Sequence, residues 1–297
     1  MNRLRADALL LLSAIIWGTG FVAQKTGNET MGPVAFVGAR FLLSAIMLLP
    51  LAIYEARNPK DVLTRRDVTL ACVIGLTLFV GSWLQQAGLL TTTATNGGFL
   101  TALYVVLVPF VAWLLTRERI RPFVLVAGVI CISGAWLLTD TGEARVWRTG
   151  DALLLLADIA WAFSITLSSM FLIRTHRPFF MSFVQYAITA VLGIAAALIF
   201  ETPTQAGIEA ALPSILYAGL ISGGVAFTLQ FIALRHTPSA EAALILSLES
   251  VFAFVAGAIL LNERLTPVAM TGCALILLGV VEAEIGPALM RKFASTR

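Results

Sequence analysis

The sequence predicts an all-α integral membrane protein with ten transmembrane helices arranged as two inverted five-helix repeats. Three observations carry that expectation. The first is composition. Of 297 residues 59% are hydrophobic and only 12% charged, with a mean hydropathy of +0.90. A soluble domain carries roughly 25% charged residues, so this chain could not cover itself with a polar surface. The second is segmentation. Apolar stretches of bilayer-spanning length run over about 6–24, 33–54, 68–90, 94–116, 122–139, 151–173, 178–200, 213–234, 240–261 and 267–285. The third is an internal repeat at a spacing of 145 residues. Gln85 matches Gln230, Leu89 matches Leu234, Thr92 matches Thr237, Leu103 matches Leu248 and Leu115 matches Leu260. Glu118-Arg119 matches Glu263-Arg264, Pro122 matches Pro267 and Gly134 matches Gly279.

Orientation follows from Lys and Arg in the loops. With the amino terminus in the cytoplasm, fifteen Lys and Arg fall on the cytoplasmic side and four (Lys25, Arg145, Arg148, Arg264) on the other. Both termini are then cytoplasmic. The first stretch follows Arg3 and Arg5 as a signal peptide would. No small-residue cleavage site follows cleanly, so it reads as a retained span. Because each copy holds an odd number of spans, residues 146–297 must enter the membrane upside down relative to 1–145. That is the ground plan of many secondary carriers.

In order along the chain, the first stretch aligns with the sixth, so that Asp7 and Asp151 stand near the starts and Trp17 matches Trp161. Both Trp lie about ten residues into their spans, near mid-depth, which favours lining a central cavity over interfacial anchoring. Gly18 and Gly20 form a soft spot after Trp17. Arg40 sits roughly 10 Å from the external end of the second span by helix rise. A charge there must face the interior, where it can pair with Asp158 or Glu249, or bind a substrate carboxylate. Its repeat counterpart is Gln185. Gln85 and Gln86 lie just short of the hydroxyl-rich TTTATNGG link, where Asn96, Gly97 and Gly98 open the fourth span. The free N–H groups there suit an anion; capping and close packing are the plainer reading. Pro109 is expected to bend the rest of that span. Ser222-Gly223-Gly224 can flex or allow close packing. Glu249 matches Tyr104, so both copies put a polar group at one mid-membrane spot. A carboxyl there can hold substrate, carry a proton or partner Arg40. His176 and His236 fall in loops and read as solvated, and Glu241 complements a helix dipole. Cys72, Cys131 and Cys273 each lie alone in apolar runs and read as packing residues.

The runs SAEAALILSLESVFAFVAGAILLNERLTPVAMTGCALILLGVV and TATNGGFLTALYVVLVPFVAWLLTRERIRPFVLVAGVICISGAWLL resemble the two halves of an EamA-type carrier of the drug/metabolite transporter superfamily. The resemblance covers nearly the whole chain. Ser250 departs from it, since many members carry proline after the Glu, and this bears on whether the ninth span bends as in its relatives. Similar members include bacterial exporters of amino acids, some favouring aromatic ones. The resemblance therefore implies a secondary transporter in the bacterial inner membrane, exporting amino acids and related metabolites by alternating access. The alternative is a broad drug/metabolite efflux carrier.

The residues expected to line a substrate site are Trp17, Arg40, Gln85, Gln86, Tyr104, Asp158, Trp161 and Glu249. Expected partners are a small-molecule substrate, the lipid bilayer and protons, with no cofactor. A net charge of +3 is too small and scattered for nucleic acid. No phosphate-binding loop is present, so ATP cannot drive transport directly. An enzyme would need a paired acid and base or an activated nucleophile, and no His falls within a span. A nucleotide-sugar carrier would need more intramembrane cations than Arg40. A passive channel rarely needs two inverted copies around a midplane site.

Overall fold

The computed structural model describes residues 3–57, 63–117, 122–138, 147–233 and 245–294. Glu118, Arg119, His236, Thr237 and Glu241 lie outside the described residues, as do several of the loop cations used to orient the chain. All regular secondary structure among the described residues is helical. The helices are α1 (Arg3–Gly27), α2 (Pro33–Arg57), α3 (Arg65–Gly88), α4 (Ala94–Thr101), α5 (Tyr104–Thr116), α6 (Pro122–Leu138), α7 (Thr149–Thr175), α8 (Pro178–Phe200) and α9 (Gln205–Leu216). After α9 come a π-helical segment (Tyr217–Ala226), α10 (Phe227–Ala233), α11 (Glu249–Leu260) and α12 (Pro267–Ala294).

Local sequence accounts for several helix starts. Pro33, Pro122, Pro178 and Pro267 each begin a helix, where a missing N–H costs nothing and φ is preset. Thr64, Thr93 and Thr204 cap α3, α4 and α9 through their hydroxyls. Seven helices are long and apolar enough to cross a membrane, with α4–α5 and α9–π–α10 each counting as one, and three shorter apolar helices accompany them. Ile132, Leu198 and Ile259, each at least 70% exposed, point outward where only lipid would suit them. The chain is thus a multi-pass membrane protein.

Packing pairs helices of the first half with helices of the second. The α2 helix lies on α8, α6 on α12, α3 on α7, and α1 on the run from α9 through α10. Many of these contacts recur with their partners exchanged between the copies, at spacings of 144 to 146 residues. Ser44 Oγ donates to the Gly219 carbonyl (2.8 Å), and Thr189 Oγ1 donates to the Gly75 carbonyl (3.2 Å). The Glu201 carboxylate accepts from the N–H groups of Val34 and Ala35 at the start of α2 (3.0 and 2.9 Å). In return, Glu55 accepts from Phe179 and Phe180 at the start of α8 (3.5 and 2.7 Å). Each carboxylate satisfies N–H groups left open at a helix start.

Between α6 and α12 the approach is close enough to require glycine. A Cβ on Gly134 would fall 2.7 Å from the Gly272 carbonyl oxygen, and one on Gly279 would fall 2.9 Å from that of Ala127. Earlier residues of one helix thus meet later residues of the other, and the two run antiparallel. Two matched positions touch each other directly. The rings of Phe41 and Tyr186 lie 5.1 Å apart, and Cys131 Sγ donates to the Ile276 carbonyl at 3.7 Å.

The fourth span is not one continuous helix. It breaks at Ala102 and Leu103, where bonding tightens to the residue three back: Leu103 N–H to Leu100, Val105 N–H to Ala102 and Val106 N–H to Leu103. The irregularity precedes Pro109, whose ring crowds the carbonyl four residues earlier at Val105. The second copy breaks at the matching residue, Leu248, with its N–H on the Ile245 carbonyl, although Phe254 stands where Pro109 would be. Tyr104 and Glu249 are the first residues after the two breaks.

Candidate functional site

A string of aromatic rings crosses the interior where α1, α2, α8 and α10 meet. It begins at Arg40, which is buried, with its guanidinium carbon 4.7 Å from the centroid of the Phe41 ring. A cation over a desolvated ring gains about 2 kcal/mol. The chain continues from Phe41 to Tyr186 at 5.1 Å, from Tyr186 to Phe227 at 5.8 Å, and from Phe227 to Trp17 at 6.1 Å. Trp161 packs on the same apolar cluster from α7, beside Leu78 of α3 and Phe41.

The expected partners of Arg40 do not reach it. Among the described residues neither Asp158 nor Glu249 forms an ion pair with Arg40, and its Nε has no hydrogen-bond partner. The aromatic face of Phe41 takes the place of a carboxylate, leaving the donors of the guanidinium uncommitted.

A chain of amides flanks the rings. Trp161 Nε1 donates to Gln85 Oε1 (3.1 Å), and Gln85 Nε2 donates to Gln24 Oε1 (3.0 Å). Gln86 Nε2 donates to the Gln24 carbonyl (2.8 Å) and to Asn28 Oδ1 (2.9 Å), so its Oε1 alone is left without a partner. Trp17, the repeat counterpart of Trp161, bonds differently: its Nε1 donates to the Ser222 carbonyl in the π-helical segment (3.0 Å). Gly223 and Gly224 of that segment sit against Ser44 and Met47 of α2, so the cluster serves close packing.

Glu249 reaches this region through Gly18. A Cβ at Gly18 would fall 2.5 Å from the Glu249 carbonyl oxygen, so the glycine after Trp17 is there for backbone contact between α1 and α11 rather than as a soft spot. Ser250, buried, donates to the Gly98 carbonyl at 3.0 Å and ties α11 to α4. The N–H groups that open α4 are already taken. Glu263 accepts from Ala94 (2.7 Å) and Thr95 (2.9 Å), so the chain supplies its own anion there, and Gly97 and Gly98 serve packing against Phe21, Leu89 and Ala253.

Asp158 stands apart from the ring string. It is fully buried on α7, neither carboxyl oxygen has a partner, and the residue borders a cavity of about 250 Å³ between α5, α6 and α7. A second cavity of about 300 Å³ lies where Gly32 meets Glu201 and Thr204. Neither is lined by Trp17, Arg40 or Glu249.

Sequence reasoning missed Gln24, Phe41, Tyr186 and Phe227. The repeat carried a signal for two of them, because the spacing that matched Arg40 with Gln185 also sets Phe41 on Tyr186. Phe227 matches Ser82, and nothing in the repeat points to it.

A solved crystal structure superposes on 98% of this chain, and 99% of its own, with a TM-score of 0.64 at 17% identity, a likeness of fold. An uncharacterized transporter of Archaeoglobus fulgidus is 32% identical over 95% of the chain and 86% of its own length. The threonine/homoserine exporter RhtA of Escherichia coli is 33% identical over 57% of the chain and 56% of its own. A "probable amino-acid metabolite efflux pump" of Salmonella typhimurium is 26% identical over 93% and 94%. The EamA-like transporter family matches twice, at residues 4–140 and 148–282, and together these two matches take in nearly all of the sequence: the chain belongs to the EamA-like transporter family.

Proposed function

We propose that this chain is a secondary exporter of amino acids, chiefly those with aromatic or apolar side chains, in the bacterial inner membrane with both termini cytoplasmic. Ten crossings form two inverted five-helix repeats, 1–145 and 146–297, whose exchange of conformation opens one side and closes the other. The observation that carries the reading is a symmetry and its breach. The exchanged hydrogen bonds of Ser44 and Thr189, the exchanged caps of Glu55 and Glu201, and the Phe41–Tyr186 contact fit a two-fold axis in the membrane plane. Trp17 and Trp161 break it by choosing different partners. Two copies of like build held in unlike states are what alternating access requires.

The substrate site of this reading lies along the ring string. Arg40 takes the substrate carboxylate, its guanidinium donors being uncommitted to any acidic residue. Trp17, Trp161, Tyr104 and the rings of Phe41 and Tyr186 cover the apolar side chain. Glu249, at the break in its span, holds the ammonium group or a proton, and Gln85 and Gln86 complete the polar wall. Broken helices at the two matched positions are a recurrent feature of carrier binding sites. The names of the Salmonella and Escherichia relatives support amino acids as the class. The fifteen-to-four imbalance of loop cations supports the orientation.

Counterflow in proteoliposomes tests the reading. Vesicles loaded with unlabelled phenylalanine, tryptophan, leucine or threonine should accelerate uptake of labelled phenylalanine, saturably and with the aromatic amino acids strongest. Flux that neither saturates nor responds to internal substrate would retire it.

A further inference from the structure

We infer that the cavity at Asp158 is a lateral binding site for a small hydrophobic ammonium compound reached from the lipid. Leu103 at the break before α5, Val106 and Leu107 of α5, Ile132 of α6 and Ile159 of α7 wall it, and Asp158 supplies a fully buried carboxyl whose two oxygens lack any protein partner. A polar group enclosed in apolar surroundings demands compensation. What supplies it must be a hydrogen-bond donor of positive or neutral character, which excludes carboxylates and phosphates. A metal ion would need several further ligands, and beyond Asp158 the wall offers hydrocarbon and the single thiol of Cys131, which already donates to the Ile276 carbonyl. An ammonium group satisfies both carboxyl oxygens with charge-assisted hydrogen bonds, and the ion pair forms whichever partner carries the proton on arrival.

The walls set the rest of the ligand. Ile132 is 71% and Ile159 47% exposed, so the rim lies on the surface that meets lipid, and a hydrophobic amine concentrated in the bilayer would approach there. A volume of about 250 Å³ lies below the range of roughly 300–1,000 Å³ that accepts drug-sized molecules. The site therefore suits a short alkylamine or arylalkylamine. It is separate from the ring string at Arg40, and it does not depend on the amino-acid reading.

The test uses the full chain purified in detergent, with thermal unfolding followed as hexylamine, hexan-1-ol or hexanoate is added. Hexylamine should raise the midpoint saturably, the alcohol clearly less because a neutral hydroxyl donates a single weaker bond, and the carboxylate not at all. Asp158→Asn keeps the shape but loses the charge-assisted bond, and should weaken the apparent amine affinity at least about tenfold. Ile132→Trp, at an exposed rim position, leaves Asp158 intact, fills the mouth and should weaken it likewise. Equal stabilisation by hexan-1-ol, or undiminished amine affinity in either variant, overturns the assignment. Counterflow of amino acids is read separately, so either proposal can fail while the other stands.

Discussion

Trp161 donates its indole N–H to Gln85 at 3.1 Å, whereas Trp17, at the matching place in the other copy, donates to the backbone of Ser222 at 3.0 Å. Gln230, the counterpart of Gln85, is passed over. The helix that would present it is interrupted by the π-helical stretch Tyr217–Ala226, while α3 runs unbroken from Arg65 to Gly88. An extra residue in a turn rotates all that follows it, and this rotation is the physical difference between the two halves.

Trp161→Phe keeps the ring and removes the donor, leaving Gln85 Oε1 short of a partner at a cost of about 1–2 kcal/mol. The variant should bias the carrier away from the arrangement described here by roughly 5–30-fold. Labelling of a single introduced cysteine from each side of sealed vesicles would read this as a change in sidedness. Trp17→Phe should shift it the same way, since the Trp17–Ser222 bond belongs to the same arrangement. Unchanged labelling in both variants would contradict the role given to the pair.

Arg40→Gln places the residue of the second copy into the first. It removes a buried cation that no carboxylate compensates, so the melting temperature in detergent should hold or rise. Counterflow of amino acids should nonetheless fall at least about tenfold, the equivalent of one charge-assisted bond to the substrate carboxylate. Arg40→Lys should recover little, because a point charge lacks the planar fork that grips a carboxylate and stacks on Phe41.

Glu55 and Glu201 hold the starts of α8 and α2 reciprocally. Truncating either to Ala should cost about 1 kcal/mol as a lost helix cap, seen as a lower unfolding midpoint. Gln at either site keeps one acceptor oxygen and should cost less than Ala. The two caps sit at opposite ends of the α2–α8 pair, so the double variant should be additive within about 0.5 kcal/mol.

Gly134 and Gly279 occupy equivalent places where α6 and α12 touch backbone to backbone. Gly134→Ala and Gly279→Ala should each destabilise by about 1–3 kcal/mol, as overpacking does in a closely fitted interface, measured by thermal unfolding. Gly128→Ala on the same helix meets only Val106 Cγ1, at 3.3 Å, and should be milder.

Membership in a transporter family means that the chain moves solute rather than transforming it, and much of that could be read from the sequence. Apolar length, helix starts at proline and threonine, the repeat and the polar residues at mid-depth are all local properties or comparisons of one stretch with another. Such properties survive in a linear string because the bilayer demands long apolar helices whatever they pack against. The sequence alone therefore determined the all-helical membrane class and the internal duplication, and it singled out Arg40, Gln85, Gln86 and Asp158, which the structure buries. Tertiary structure decided which of them meet. Arg40 rests on Phe41 instead of a carboxylate, Glu263 fills the helix start that looked open to an anion, and Asp158 borders a cavity of its own. These outcomes depend on how helices 100 or more residues apart are rotated about their axes, and a turn of a few tens of degrees exchanges one neighbour for another without changing a residue.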